Sequence, residues 1–389
     1  MAGRPLSYSP LAAGLVVALL AASPAVAQDA VKGASAPVQL GAAITMEAQD
    51  NLQGGLKRGA LSMYNLDLTA DWQGRDGWEA YGYVLVNANG GFSGRYSGDV
   101  QTVSNIDAVP GTRLFEAWVR KTSADQRHIT TFGLINLNGI FDVQSVGGVF
   151  LNASSGIGPD YSQSTPSIFP VSGLGLVSEW HATKDLTLRG GIFDGVPGDP
   201  AHDSIFTSLR LSARDGANVI AELEDKAGGA TFKLGAWTYT AKVPRWDGQG
   251  DRSKQGIYAH LAVPITSEAG ASDQGLSGWL RAGVANGDVL RFSAYAGGGL
   301  VYTGLFPGHD EDQAGLAISH VTFSKAYRAA NPGRLPAETD IELTYQLDLT
   351  PGLKLQPDIQ YIRHPGGDAA VKDALVIGLR LRARLYGNS

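Results

Sequence analysis

The chain has 389 residues, a formal charge of −6 at pH 7, 51 glycines and no cysteine. Lack of cysteine excludes a disulfide framework, cysteine-held metal sites and a lipidated N-terminal cysteine; the acidic balance argues against a nucleic-acid partner, which needs a basic surface. With 17% charged residues and a mean hydropathy of −0.06, the composition is neither strongly polar nor that of a helical membrane protein, and the length suits two or three soluble domains or one large barrel.

The N-terminus carries Arg4, an apolar run LAAGLVVALLAA (11–22) and the small-x-small triplet AVA (25–27). This order predicts a secretory signal peptide over 1–27, cleaved before Gln28. The apolar run is too short for a membrane anchor, which needs about 20 residues. Arg4 is the only charged residue in the leader, so its removal takes the balance to −7. Residues 28–37 read as a short tail, and 38–389 as one domain. No later stretch approaches the roughly 18 uninterrupted apolar residues of a spanning helix. The remainder is therefore soluble, or it crosses a membrane as strands.

Alternation with a period of two then recurs along the chain. Candidate strands lie at 38–47, 60–72 and 78–88. In YNLDLTADW (64–72), Tyr64, Leu66, Leu68, Ala70 and Trp72 share one face, and Asn65, Asp67, Thr69 and Asp71 the other. Such a segment spans roughly 26 Å. Tilted, it covers most of an apolar belt about 25 Å tall, with Tyr64 and Trp72 at the aromatic girdles. Candidates follow at 113–121 and 127–136. The longest stretch without alternation is 137–172. A loop of this length is usually functional; it either folds inward to narrow a pore or forms an external lid.

Further candidates lie at 173–181, 185–194, 204–213, 217–225, 230–241, 255–265, 276–286, 290–303 and 313–324. The last three are 340–350, 352–363 and 373–386. PG (351–352) separates the first two of these as a tight hairpin, and Pro357 suggests a bulge. In LVIGLRLRARLY (375–386), leucines alternate with Arg380, Arg382 and Arg384. A helix would scatter these arginines around its axis. A strand puts them on one face, which suits a barrel with lipid outside and water inside. There are 17 candidates, of which 38–47 and 204–213 are the weakest. A bacterial barrel takes an even number, so the expected fold is an all-β, transmembrane antiparallel β-barrel of 16 strands.

Four runs resemble blocks of the carbohydrate-selective outer-membrane porins of the OprB type. They are NLQGGLKRG (51–59), GIGPDYSQSTPSIFPVSGLGL (156–176) followed by GGIFDGVPGDP (190–200), GGGLVYTGLFPGHDEDQAGLAIS (297–319) and IELTYQLDLTPGLKLQPDIQYIRHPGG (341–367). In order they span nearly the whole chain after the leader. The resemblance implies a 16-stranded barrel in the outer membrane of a Gram-negative bacterium and diffusive uptake of sugars such as glucose. Its natural partners would be sugar solutes and outer-membrane lipid, as a homotrimer or a monomer. Two features depart from the pattern: Tyr386 is followed by three further residues, and His309 stands where a basic residue is expected.

A pore sorts solutes with the side chains of its wet face. The alternation places Arg380, Arg382 and Arg384 there, with Glu342 from 340–350 and Glu116, Trp118 and Arg120 from LFEAWVRK. The arginine ladder is expected to face acidic residues such as Asp142 or Asp160 of the long loop. The alternative is that these charges pair along the wall and only hold the barrel in shape. No cofactor or metal is expected. The histidine-containing segments PGDPAHDS (Asp199, His202, Asp203) and GHDED (308–312) read as acidic surface loops. G-x-S-x-G is absent, so the hydrolase elbow is missing. A barrel esterase or phospholipase, a non-selective porin and a secreted sugar-binding β-protein stand as the competing functions.

Overall fold

The computed structural model describes residues 38–198, 206–207, 209–268 and 273–386. The expected leader (1–27), the tail (28–37) and the acidic segment at Asp199, His202 and Asp203 lie outside them. The described residues form sixteen strands: β1 (Val38–Gly55), β2 (Gly59–Gln73), β3 (Trp78–Ala88), β4 (Gly111–Thr122), β5 (His128–Ile135), β6 (Gly173–His181), β7 (Leu186–Asp194) and β8 (Ala217–Asp225), then β9 (Thr231–Pro244), β10 (Asp251–Pro264), β11 (Gly275–Ala285), β12 (Phe292–Thr303), β13 (Gln313–Phe323), β14 (Ala337–Thr350), β15 (Leu353–Arg363) and β16 (Lys372–Tyr386). Each pairs antiparallel with its sequence neighbours, and β1 closes on β16.

Alternation dictates this closure. On β9, Phe232 and Leu234 are 43% and 49% exposed, while Lys233 between them is 7% exposed. The apolar residues face outward and the charged one inward, the reverse of a soluble barrel and the arrangement a lipid surround requires. Trp72, Trp78 and Trp180 are exposed beside short turns, forming a girdle at that end. The short-turn end is the periplasmic one by the usual architecture of such barrels. The opposite end carries the long connections 89–110 and 136–172.

Two expectations need correction. The candidate strand 204–213 is not a strand in any of its described residues, whereas 38–47 lies within the 18-residue β1. Removing the first gives the even number. Pro357 causes no bulge: β14 and β15 keep one register from Thr344–Asp358 to Leu347–Leu355, with the ladder interrupted beside the proline. A missing N–H deletes a ladder bond without inserting a residue.

Candidate functional site

The interior of the barrel is divided by its two longest inward connections. Residues 136–172 fold into the lumen and pack against β7–β15; Leu137, Phe141, Phe150, Leu151 and Tyr161 are each at most 1% exposed. Tyr161 stacks on Trp237 of β9 at 4.5 Å and donates to Asn218 of β8 at 2.8 Å. Residues 89–110 fold inward beside it. The two loops pair directly, Asn105 N to Leu151 O at 2.7 Å and Ala153 N to Thr102 O at 2.9 Å.

Loop backbone taken out of water must find partners in the wall, and lumenal side chains supply them. Glu342 accepts from Leu151 N and Asn152 N at 2.5 and 3.1 Å. Glu338 accepts from Val100 N and Gln101 N at 3.0 and 3.1 Å. Glu222 accepts from Asp142 N at 2.9 Å and Tyr258 Oη at 2.7 Å. Gln356 and Gln360 donate to Val149 O and Val103 O at 2.6 and 2.8 Å, and Lys233 to Val143 O at 3.0 Å.

The tightest anchor is Arg281 on β11. Its guanidinium clamps Asp142 through Nε and Nη2 at 2.8 and 2.7 Å and reaches Asp160 through Nη1 at 2.6 Å. His260 of β10 also contacts Asp142 and is held by Gln144 at 3.2 Å. Burial raises the Asp142 carboxyl, but Arg281 and His260 outweigh it and hold it below the ordinary carboxylate value. For Asp160 burial wins over Arg281, and its carboxyl lies above that value. The loop approaches the wall so closely that a Cβ on Gly158 would sit 1.9 Å from Arg281 Nη1, and one on Gly283 2.1 Å from Asp160 Oδ2.

The structure thus redistributes the sequence candidates. Asp142 and Asp160 pair with Arg281, not with the arginine ladder, because the loop lies against β11 while the ladder stands on β16. Glu342 is 1% exposed and holds loop backbone. Arg380 binds Glu47 of β1 at 2.6 Å and Asn105 of the 89–110 loop at 2.7 Å. Arg382 and Arg384 remain exposed, on the face of β16 opposite the lipid-facing Leu379 and Leu385. Arg382 lies within electrostatic reach of Asp67 on β2.

Glu116, Trp118 and Arg120 share the lumenal face of β4 and are half-buried. Glu116 accepts from Asn136 N at 3.1 Å, where the long loop begins. Arg120 lies 4.5 Å from the Trp118 ring and donates to Thr131 at 3.1 Å. Tyr81 of β3 packs on Trp118 at 5.2 Å, and Tyr83 donates to Asp67 at 2.6 Å. Tyr81 and Tyr83 were not among the sequence candidates. Their signal was present in WEAYGYVLV, where they alternate with Ala80, Gly82 and Val84. The 89–110 loop was also not singled out, although its stretch NGGFSGRYSGDV is rich in turn residues.

A closed barrel with apolar residues outside, a charged interior and a loop pinned across it has the build of a diffusion channel. Comparison with known proteins agrees. Residues 57–385 match the family model described as carbohydrate-selective porin, OprB family. Porin B of Pseudomonas aeruginosa is 25% identical over 391 residues, covering 86% of this chain and 85% of that protein. The structure of Pseudomonas putida OprB at high pH shares the fold with a TM-score of 0.80 at 20% identity, covering 90% of this chain and 94% of that one. The Acinetobacter baumannii outer-membrane channel DcaP follows at a TM-score of 0.57 and 11% identity, covering 89% and 96%. The match to the family model over residues 57–385 places the chain in the OprB family of carbohydrate-selective porins, sugar-conducting barrels of the outer membrane.

Proposed function

We propose that sugars of about the size of glucose cross along the arc from β15 through β16 and β1 to β4. The observation that carries this is the position of the two loops: residues 136–172 fill the lumen against β7–β15 and residues 89–110 cover part of β14–β16 and β1, which leaves partly exposed the lumenal side chains of β2–β4 and of the periplasmic ends of β15 and β16. One flank of the arc is cationic: Lys354, Arg382 and Arg384. The other combines Asp67 and Glu116 with Tyr81, Tyr83, Trp118 and Arg120. Opposed charges orient a dipolar, hydroxyl-rich solute, and the aromatic rings offer a surface for the apolar face of a pyranose. Arg380, Asp142, Asp160 and Glu342 set the aperture by holding the loops. Passage is by diffusion and needs no reaction centre. One barrel encloses a complete path, so a monomer suffices. The leader at 1–27 fits the same assignment, since an outer-membrane protein must first be exported.

The test is single-channel recording of the purified protein in a planar bilayer with glucose titrated in. Stable openings that glucose partly blocks, with the block weakened in Trp118→Ala and in Arg382→Ala/Arg384→Ala, are expected. Openings insensitive to glucose at any concentration would make the barrel a non-selective pore and overturn the assignment.

A further inference from the structure

The chain has seven tryptophans. Trp72, Trp78 and Trp180 face outward at the periplasmic girdle, and Trp118, Trp237 and Trp279 face the lumen. Trp246 is the one that stands apart, at the tip of the β9–β10 connection on the long-loop end, with 38% of its surface exposed. It lies above any outer girdle. The lipid-facing side of β9 already turns polar at Thr238, Thr240 and Lys242, well short of the tip.

The tip leans over the mouth. Trp246 N donates to Asp288 O of the β11–β12 connection at 2.9 Å. The indole meets Tyr327 of the β13–β14 connection edge to face at 5.0 Å. Tyr327 in turn packs on Phe323 at 6.0 Å, and Phe323 on Phe292 at 5.1 Å; both phenylalanines are buried at the upper end of the lumen. Two carboxylates stand next to Trp246 along the rim: Asp247 follows it in the chain, and Asp288 takes its backbone N–H on the main-chain carbonyl. Arg245 clamps Asp247 through Nε and Nη2 at 3.0 and 2.6 Å and reaches Asp288 at 3.2 Å. The Asp247 and Asp288 side chains still keep 38% and 46% exposure. The Arg245 hydrogen bonds hold Asp247 below the ordinary carboxylate range; its Oδ1 also accepts from Gln249 N at 2.9 Å, which leaves Oδ2 with room for one further donor.

We propose that Trp246 with Asp247 and Asp288 forms a sugar-capturing platform on the extracellular rim, where a pyranose stacks on the indole and donates hydroxyls to the two carboxylates before entering the lumen. A pyranose suits this site because one face of the ring is mostly C–H and its edge is a fringe of hydroxyl donors. An aromatic plane beside fixed acceptors matches both. The platform rests on the sugar-porin assignment and adds to it an entry site, separate from the arc inside the barrel.

The experiment is glucose block in a planar bilayer with sugar added to one side at a time, orientation being read from the asymmetry of the current–voltage curve. Trp246→Ala should lower the glucose association rate from the extracellular side by about five-fold, the value of one lost stacking contact. The rate from the periplasmic side and the half-blocking concentration with sugar on both sides should not change, because a capture site alters the route and not the inner site. Trp246→Phe should restore most of the rate, and Asp288→Asn should lower it in the same one-sided way. An unchanged extracellular rate in Trp246→Ala overturns the platform while leaving the porin assignment intact, as does an equal loss from both sides. Absence of glucose block in the unaltered protein overturns both.

Discussion

Arg281 is 2% exposed in the wall of β11, and both of its carboxylate partners come from the loop it holds. Removing one member of a buried charge set leaves the others uncompensated, at a cost of about 3–5 kcal/mol. In Arg281→Met that cost falls on the seating of the loop, since Asp142 and Asp160 regain water only by leaving the wall. The variant should show larger and noisier single-channel currents than the unaltered protein, and unchanged currents would show that the clamp does not hold the loop. The same clamp sets a pH dependence. Asp142 has a folded pKa below 3.8, so its contribution is complete above that pH and is lost only as pH falls through the lowered value. Asp160 is shifted upward by burial, and its protonation relieves a desolvation cost, so it does not loosen the loop on the way down. Open-channel noise should stay flat from neutrality to about pH 4 and rise below it. A rise already well above pH 4 would show that a group other than Asp142 controls the loop.

At the scale of the elements, the lumenal faces of β11 and β12 make room for the loop by omitting side chains. Gly283 faces Asp160, and Gly297 and Gly299 continue the gap across the next strand. Gly283→Val should therefore displace the loop while leaving the barrel intact: heat-modifiable migration on a gel unchanged, conductance raised. If both change, the glycine serves strand pairing instead. Sixteen strands were legible because lipid and water enforce opposite faces on every strand, as the Leu/Arg alternation of 375–386 shows. The false strand at 204–213 arose from SLRLSAR, whose leucines alternate with polar residues in a connection. β1 was weakly marked in the sequence because its lumenal face (Glu47, Gln49, Asn51) is polar while its outer face carries the small Ala42 and Ala48 among its apolar residues. The partners of Asp142 and Asp160 were not legible at all. Which wall a 37-residue loop leans on depends on shape, and the signal for it, glycines on β11 and β12 opposite an arginine, becomes meaningful only once the register is known.

For the whole molecule, charge is distributed unevenly around the water path. Arg281, Arg189 and Arg380 are tied into ion pairs, whereas Arg382 and Arg384 on the periplasmic half of β16 are exposed. Under a salt gradient, Arg382→Ala/Arg384→Ala should shift the reversal potential toward cation preference, with the effect shrinking as ionic strength rises and screening shortens. A shift of the opposite sign, or none, would place these arginines away from the ion path.

The inward loops have a mechanical consequence. The 136–172 segment is fastened to β8, β10, β11, β14 and β15, and the 89–110 segment to β14, β15 and β16, with the two loops bonded to each other. An unbraced tube of this girth flattens readily under sideways load. Crossed by struts fixed at several points of its circumference, it resists becoming oval, and the width of the opening is decoupled from the lateral pressure of the surrounding bilayer. A sugar arriving at the aperture meets an opening that these struts brace against flattening.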